Sequence, residues 1–292
     1  ATVAAMITFL YLGLGIRSLA VANLVGLFLA DLNRVFYALK LCPGMQIGLR
    51  FARLAMMRDA FAFGLKTLAP RVGNLLINQT SSILIASFLG PAALALYSRP
   101  RSLAQHTHML VSKLAFVVTP TASALHSTSH REELRELAVS VTRYAACVSL
   151  PLTIGLAIMG GPLMLLWMGP DYTNGILVAL IALGNFAMFT FMPAMNILTG
   201  LNAHGRPGMV QLVAAGCSVG LAFLALGPLR LGLEGVALAV GIPLTLTYGA
   251  YVSVYMCRKL GISWARFMWE SLSTPLLCTM PVSYTHLTLP TN

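Results

Sequence analysis

The residues most able to do chemistry in this chain are cations placed inside stretches that are otherwise apolar. Lys66 and Arg71 interrupt one long hydrophobic run, and Arg99 and Arg101 interrupt the next, in the segment YSRPRS. A cation at the centre of a membrane-spanning helix costs roughly 2.5–3.5 kcal/mol, so four cost on the order of 10–14 kcal/mol. A chain keeps such residues where they face protein or water. They predict a cationic cavity inside a membrane protein, which favours an anionic ligand.

A polar stripe accompanies Arg71. Its members recur at steps of three and four residues, which places them on one helical face. They are Thr67, Arg71, Asn74, Asn78 and either Ser81 or Ser82. Such a stripe can serve hydrogen bonding between membrane helices or line a cavity. Because an arginine is a costlier interhelical contact than an asparagine, the stripe favours a cavity wall.

The second pair of arginines flanks Pro100. Arg101 shares a helical face with Gln105 and His108, whereas Arg99 shares one with His106. Two positions apart on a regular helix, the arginines diverge by about 200°. Pro100 removes a backbone hydrogen bond and predicts a kink that lets both border one cavity, where guanidinium groups suit phosphate oxygens. The alternative is that both extend to the outer headgroups.

Further polar residues lie in later runs, where they either pack between helices or line a cavity. They are Asn185, Asn196 and Thr199 beside Pro193, and Tyr248 and Tyr251; of these, Asn196 is the strongest candidate. His126 and His130 have the spacing of a metal pair but lack a third ligand. The eight acidic residues nowhere combine with a histidine and a nucleophile, and no phosphate-binding loop occurs. We expect a protein without cofactor, metal site or catalytic residues, and not an enzyme.

The composition indicates that most of the chain lies in a lipid bilayer. Its 292 residues are 58% hydrophobic and 9% charged, with a mean hydropathy of +0.81, whereas soluble domains are about 25% charged. The apolar runs are continuous, which favours helices over barrel strands. The net charge of +11 arises from basic residues between the runs, as the positive-inside rule expects, so nucleic acid is not an expected partner.

Eight membrane-spanning helices are predicted, most of them near the roughly 20 residues that a span requires. They cover about 2–16, 18–36, 62–89, 92–118, 139–166, 175–199, 208–228 and 232–256. A further helix is expected to begin in 258–281. Because basic residues concentrate in alternate connections, we predict that 37–60, 121–138, 200–207 and the segment after 257 are cytoplasmic.

Two segments are given special interpretations. Residues 37–61 are predicted to form an amphipathic surface helix that links two groups of spans, 1–36 and 62–257. Residues 282–292 resemble a translated sequencing adapter and are excluded from the predicted fold. The chain begins at Ala1 within an apolar run, and we interpret it as part of a longer protein.

An ordered set of segments resembles a known family. The segments are NQTSSILIASFLGPAALALYSRPRSLA (78–104), TPTASAL (119–125), SLPLTIGLAIMGGPLMLLWMGPDY (149–172), NILTGLNAHGRP (196–207) and LRLGLEGVALAVGIP (229–243). They resemble the polysaccharide-transport branch of the multidrug/oligosaccharidyl-lipid/polysaccharide exporter superfamily, which includes O-antigen and capsule oligosaccharide flippases. The resemblance covers roughly residues 1–280 and implies an all-α bundle of two lobes. This chain would hold the last two helices of the first lobe, the six of the second and the start of a thirteenth.

The resemblance also implies a function. Such proteins move polyprenyl-diphosphate-linked oligosaccharides across the bacterial cytoplasmic membrane. The expected partners are this lipid-linked substrate, membrane lipids, the N-terminal lobe of the same protein and other glycan-assembly proteins. The expected substrate-binding residues are Arg71, Asn74, Asn78, Arg99, Arg101, Gln105 and Asn196. Many relatives carry an Asp where this chain has Ser81 or Ser82, which disfavours ion coupling through this helix.

Two other functions stay open. A drug or cation antiporter of the same superfamily would need acidic residues within its spans, and the spans of this chain have almost none. An integral-membrane glycan polymerase or ligase would need a large outer loop, and the predicted outer connections are too short for one.

Overall fold

The computed structural model describes residues 6–8, 11, 17–42, 44, 48 and 53–288, and every regular element in these ranges is helical. The first helices are α1 (Arg17–Leu41), α2 (Leu54–Leu75), which continues through a π turn (Leu76–Thr80) into α3 (Ser81–Leu89), α4 (Pro91–Ala115), α5 (Val118–Ser127) and α6 (Arg131–Met168). After a 3-10 turn (Pro170–Tyr172) follow α7 (Gly175–Gly200), α8 (Gly205–Leu226), α9 (Gly232–Thr245), a π turn (Leu246–Val252), α10 (Ser253–Leu260) and α11 (Trp264–Thr288).

Seven segments within the described residues are long and apolar enough to cross a membrane. They are Arg17–Leu41, Leu54–Leu89, Pro91–Ser127, Arg131–Met168, Gly175–Gly200, Gly205–Leu226 and Gly232–Leu260. This confirms the predicted polytopic all-α membrane protein. The proposed span at 2–16 lies mostly outside the described residues. The helix expected near 258–281 is present as α11.

Two predicted connections are wrong. The expected surface helix over 37–61 is not one helix, because α1 continues to Leu41 and α2 begins at Leu54. The described residues between them include Gly44, and glycine disfavours helix. The expected loop 121–138 is also mostly helical, and only 128–130 connect α5 to α6. Acidic residues in the first turn of α6 favour this early start, because they complement the helix dipole.

The chain divides into two compact units, residues 1–59 and 60–292. In the first unit, α1 buries the small residues Ser18, Ala22 and Gly26, which repeat every fourth position on one face. In the second unit, α7 is central and packs against α4, α5, α6 and α9. Asn174 begins α7 by accepting a hydrogen bond from the amide of Leu177 at 3.0 Å, as an N-cap residue does.

Small residues bring the helices of the second unit close together. A Cβ placed on Gly184 of α7 would lie 2.7 Å from the Cα of Gly241 in α9, and one placed on Gly160 of α6 would lie 2.4 Å from Val178 of α7. Neither position can accept a side chain without displacing its neighbour. Such contacts are typical of membrane bundles, where close backbone approach replaces the hydrophobic driving force. They hold α7 firmly beside the polar cavity described next.

Candidate functional site

A cavity of about 730 Å³ opens within the second unit, between α2, α3, α4, α7, α8 and α9. Six carboxamides line it: Asn74, Asn78, Gln105, Asn185, Asn196 and Gln211. Two cations, Arg71 and Arg101, line it as well, and none of its lining residues is acidic. The cavity therefore combines uncompensated positive charge with neutral hydrogen-bonding groups.

The polar stripe of the α2–α3 segment faces this cavity. Thr67, Arg71, Asn74 and Asn78 all line it, and Ser81 rather than Ser82 completes the face. The hydroxyl of Ser82 instead donates to the carbonyl of Asn78 at 2.8 Å. Gln105 and Asn196 also line the cavity, which brings six of the seven predicted substrate-binding residues to one place.

Arg99 is the exception. It is exposed and does not line the cavity, whereas Arg101 is half-buried and does. The expectation that a kink at Pro100 brings both arginines to one cavity is wrong, because α4 remains helical through Pro100 and residues two apart face opposite sides of a helix. The same rule separates His108, which lines the cavity, from the exposed His106.

Arg101 is held by the stripe itself. One terminal nitrogen of its guanidinium donates to the side-chain oxygen of Asn78. Among the residues that the structure describes, neither Arg71 nor Arg101 has an acidic side chain within ion-pair distance. An arginine in a low-dielectric site without a counterion is costly. The arrangement is therefore suited to an anion supplied from outside the chain.

Both π turns of the second unit border the cavity. Asn78 lies in the turn Leu76–Thr80, and Tyr248 lies in the turn Leu246–Val252. A π turn inserts one residue into a helix and often occurs at functional sites. Tyr248 is buried, while Tyr251, which was expected at the same cavity, does not line it.

Several carboxamides are oriented by their own helices. The Nδ2 groups of Asn74 and Asn185 donate to the carbonyls of Pro70 and Ile181, at 3.1 and 2.7 Å. The Nδ2 group of Asn196 donates to the carbonyl of Ala115 at 2.9 Å and so joins α7 to the end of α4. Each bond fixes the amide and leaves its side-chain oxygen to accept a hydrogen bond from a ligand.

The sequence analysis missed two cavity residues, His204 and Gln211. His204 is 1% exposed and Gln211 is 8% exposed. Both ring nitrogens of His204, the Nε2 of Gln211 and the hydroxyl of Ser81 have no hydrogen-bond partner among the described residues. Buried polar groups are normally paired, so these atoms mark places where a ligand or water belongs. In the sequence, each is a single polar residue in or beside an apolar run, which gave little reason to select it.

A second cavity, of about 490 Å³, lies between α6 and α11 and is named the α6–α11 cleft. Arg135 pairs with Glu132 at 2.8 Å, and Arg266 pairs with Glu270 at 2.6 Å. Arg143 donates through Nε to the backbone carbonyl of Glu270 at 2.9 Å. The charges of this cleft are largely balanced within the chain, and the hydrogen bond from Arg143 joins α6 to α11.

Comparison with known proteins places this architecture in a family. Residues 1–177 match the family described as polysaccharide biosynthesis protein, and the chain belongs to that family. It is 25% identical over 248 residues to the uncharacterized membrane protein EpsK of Bacillus subtilis (strain 168), a match that covers 84% of this chain and 49% of that protein. The chain thus spans about half the length of this curated relative.

Solved structures share the fold. The crystal structure of a MATE point mutant aligns with a TM-score of 0.73 and 14% identity, covering 86% of this chain and 57% of that one. An outward-facing multidrug resistance MATE family transporter of the MOP superfamily aligns with a TM-score of 0.65 and 14% identity, covering 85% and 57%. The chain is a multi-pass membrane protein with the fold of these transporters.

Proposed function

We propose that this chain forms part of a flippase. The protein would move a polyprenyl-diphosphate-linked oligosaccharide across the bacterial cytoplasmic membrane for surface polysaccharide synthesis. The observation that carries the proposal is a cavity with two arginines and no acidic lining residue, in a member of a polysaccharide biosynthesis family.

Charge supports a phosphate-bearing substrate. Arg71 and Arg101 lack acidic partners in the described part of the chain, and guanidinium groups bind phosphate oxygens through paired hydrogen bonds. Both phosphoryl groups of a diphosphate linkage carry negative charge. Binding would neutralise cations that are otherwise unpaired, so the substrate itself supplies the counterions.

The carboxamides support a glycan beside the phosphates. A carboxamide offers a donor and an acceptor side by side, and sugar hydroxyls are both donors and acceptors. Asn185 and Asn196 of α7 and Gln211 of α8 line the same cavity as the stripe of α2. No covalent step is needed, because transport requires only binding and a change of access.

A drug or cation antiporter is the second candidate, because the solved structures of similar fold include a multidrug resistance transporter. Its cationic substrates would meet Arg71 and Arg101 in a cavity without acidic lining residues. Like charges in a low-dielectric site repel strongly, so the described half of the transport path disfavours cations.

Replacement of the cavity arginines tests the proposal. Arg101→Gln, and Arg71→Gln separately, should reduce complementation of a strain that lacks the flippase at least tenfold, because each removes a charge-assisted hydrogen bond to the substrate. Surface polysaccharide in the complemented strain is measured, together with the amount of protein in the membrane.

Arg143→Gln is the matched control. Arg143 is half-buried like Arg101 and lies in the α6–α11 cleft. Its replacement by Gln removes the same charge. It should complement normally. Normal complementation by both cavity variants would refute the assignment, and cation efflux that persists in them would favour the antiporter.

A further inference from the structure

His204 is the most isolated polar group of the cavity. It is 1% exposed, lines the cavity and has no partner for either ring nitrogen among the described residues. Its ring packs edge-on against Phe63, with 5.0 Å between centroids. A buried histidine with a structural role normally has a hydrogen-bond partner, so the unpaired nitrogens of His204 are available to a ligand.

Lys66 lies beside His204. The aliphatic part of Lys66 comes within 3.3 Å of where a Cβ of Gly205 would lie, so any side chain at 205 would displace the lysine. Its Nζ lies 3.4 Å from the side-chain oxygen of Asn202. Among the described residues no acidic group pairs with this ammonium. Lys66 thus adds unbalanced positive charge next to an unpaired imidazole.

The first turn of α8 adds a third favourable element. This helix begins at Gly205, directly after His204. The amino end of a helix presents unpaired amides and partial positive charge, which attract anions. α2 runs alongside α8 in the same direction, because Lys66 lies at Gly205, Pro70 at Gly208 and Gly73 at Gln211. The polar groups of α2 and α8 therefore follow one path.

Cationic side chains recur at intervals along that path. Lys66 precedes Arg71 by about 7 Å of helix, and Arg71 precedes Asn78, which holds Arg101, by about 10 Å, at 1.5 Å per residue. Cations therefore recur along α2, beginning at the end that the charge pattern predicts to be cytoplasmic. One phosphate group cannot contact the backbone at two of these positions at once. The side chains of Lys66, Arg71 and Arg101 are long enough for the phosphate to pass from one to the next.

We propose that His204, Lys66 and the first turn of α8 form an anion-binding station at the mouth of the cavity, separate from Arg71 and Arg101. Its ligand is a phosphate or diphosphate group. The station rests on the proposed function and extends it: the diphosphate of the lipid-linked substrate binds here first and then moves to the arginines.

Binding of inorganic pyrophosphate to the purified protein in nanodiscs tests the station. Isothermal titration calorimetry should show affinity reduced about tenfold by Lys66→Gln and by His204→Gln, the loss expected for one charged hydrogen bond. Lys66→Arg should retain affinity. Lys113→Gln is the matched control, because Lys113 is, like Lys66, an exposed lysine that does not line the cavity, but it lies in the last turn of α4 and not beside His204.

A second measurement guards against misfolded variants. In wild-type protein labelled with 15N-histidine, pyrophosphate should shift the ring nitrogen signals that His204→Gln removes, and it should leave those of the exposed His106, which does not line the cavity, unchanged. Unshifted His204 signals would overturn the station even if a variant failed to fold.

The outcomes separate the two proposals. If Lys66→Gln and His204→Gln bind as tightly as wild type while Arg101→Gln does not bind, the station is wrong and the flippase proposal stands. If the wild-type protein binds no pyrophosphate, both are overturned.

Discussion

The cavity and the α6–α11 cleft each contain a half-buried arginine, yet the two sites neutralise positive charge differently. In the cleft, Arg135 and Arg266 pair with Glu132 and Glu270. In the cavity, the hydrogen-bond partner of Arg101 among the described residues is the neutral side chain of Asn78. The cleft carries its own counterions, whereas the cavity depends on a ligand.

This difference explains what each site can do. The ion pairs of the cleft are each formed within one helix, and an arginine that is already paired leaves little attraction for a further anion. An arginine held by a neutral amide keeps its full charge, and in a low-dielectric cavity that charge acts strongly. Arginine content alone therefore does not mark a binding site, and the absence of nearby carboxylates is the informative feature.

The largest expected effect comes from giving the cavity a counterion of its own. Asn78→Asp places a carboxylate against Arg101, because Asn78 already accepts a hydrogen bond from that guanidinium. The new pair should reduce pyrophosphate affinity about 100-fold or more, since the added carboxylate neutralises Arg101 and occupies its hydrogen-bond donors. Calorimetry in nanodiscs measures the affinity.

Gln79→Glu serves as the control, because Gln79 is the next residue but does not line the cavity. It adds the same charge and should bind like wild type. Equal affinity in Asn78→Asp and wild type would show that Arg101 is not part of the anion site.

Local sequence pattern predicted much of the cavity. Thr67, Arg71, Asn74 and Asn78 share one face because helical periodicity requires it, and their chemistry indicated that the face lines a polar space. The spans were predicted from the lengths of the apolar runs, which are read directly from the sequence. The periodicity did not decide between Ser81 and Ser82, and no local pattern predicted the π turn at Leu76–Thr80 that precedes them.

Contacts between distant residues were not predictable from one sequence. Arg143 donates to the carbonyl of Glu270 in α11, and Arg135 donates to that of Leu260 at the end of α10. Predicting these bonds requires knowing that both helices pack on α6. His204 becomes a candidate binding residue because the fold buries it beside Lys66 with both ring nitrogens unpaired among the described residues. Arg99 was misplaced for the opposite reason: a kink at Pro100 was expected to bring it to the cavity, and α4 continues as a helix through Pro100 with Arg99 exposed.

A smaller effect is expected from removing the counterions of the cleft. Glu132→Gln combined with Glu270→Gln leaves Arg135 and Arg266 without acidic partners in the described residues. Because both pairs are partly exposed, stability should fall by less than about 2 kcal/mol, and complementation should be normal. Thermal unfolding gives the first quantity and surface polysaccharide the second. Lost complementation with normal membrane insertion would mean that the cleft takes part in transport.

The smallest expected effect is a pH dependence confined to the cavity. Burial, and secondarily the charge of Lys66, lowers the pKa of His204 from its usual 6.5. Above pH 6.5 the imidazole is neutral in both folded and unfolded protein, so stability is complete. Below it the unfolded state binds more protons, and stability falls until the pH passes the folded pKa.

His204→Gln should remove about 1–3 °C of the decrease in Tm seen on acidification, while replacement of the exposed His106 should not. An unchanged decrease in His204→Gln would show that this imidazole is not held neutral by the fold, and the contrast between a titrating cavity and a permanently paired cleft would disappear.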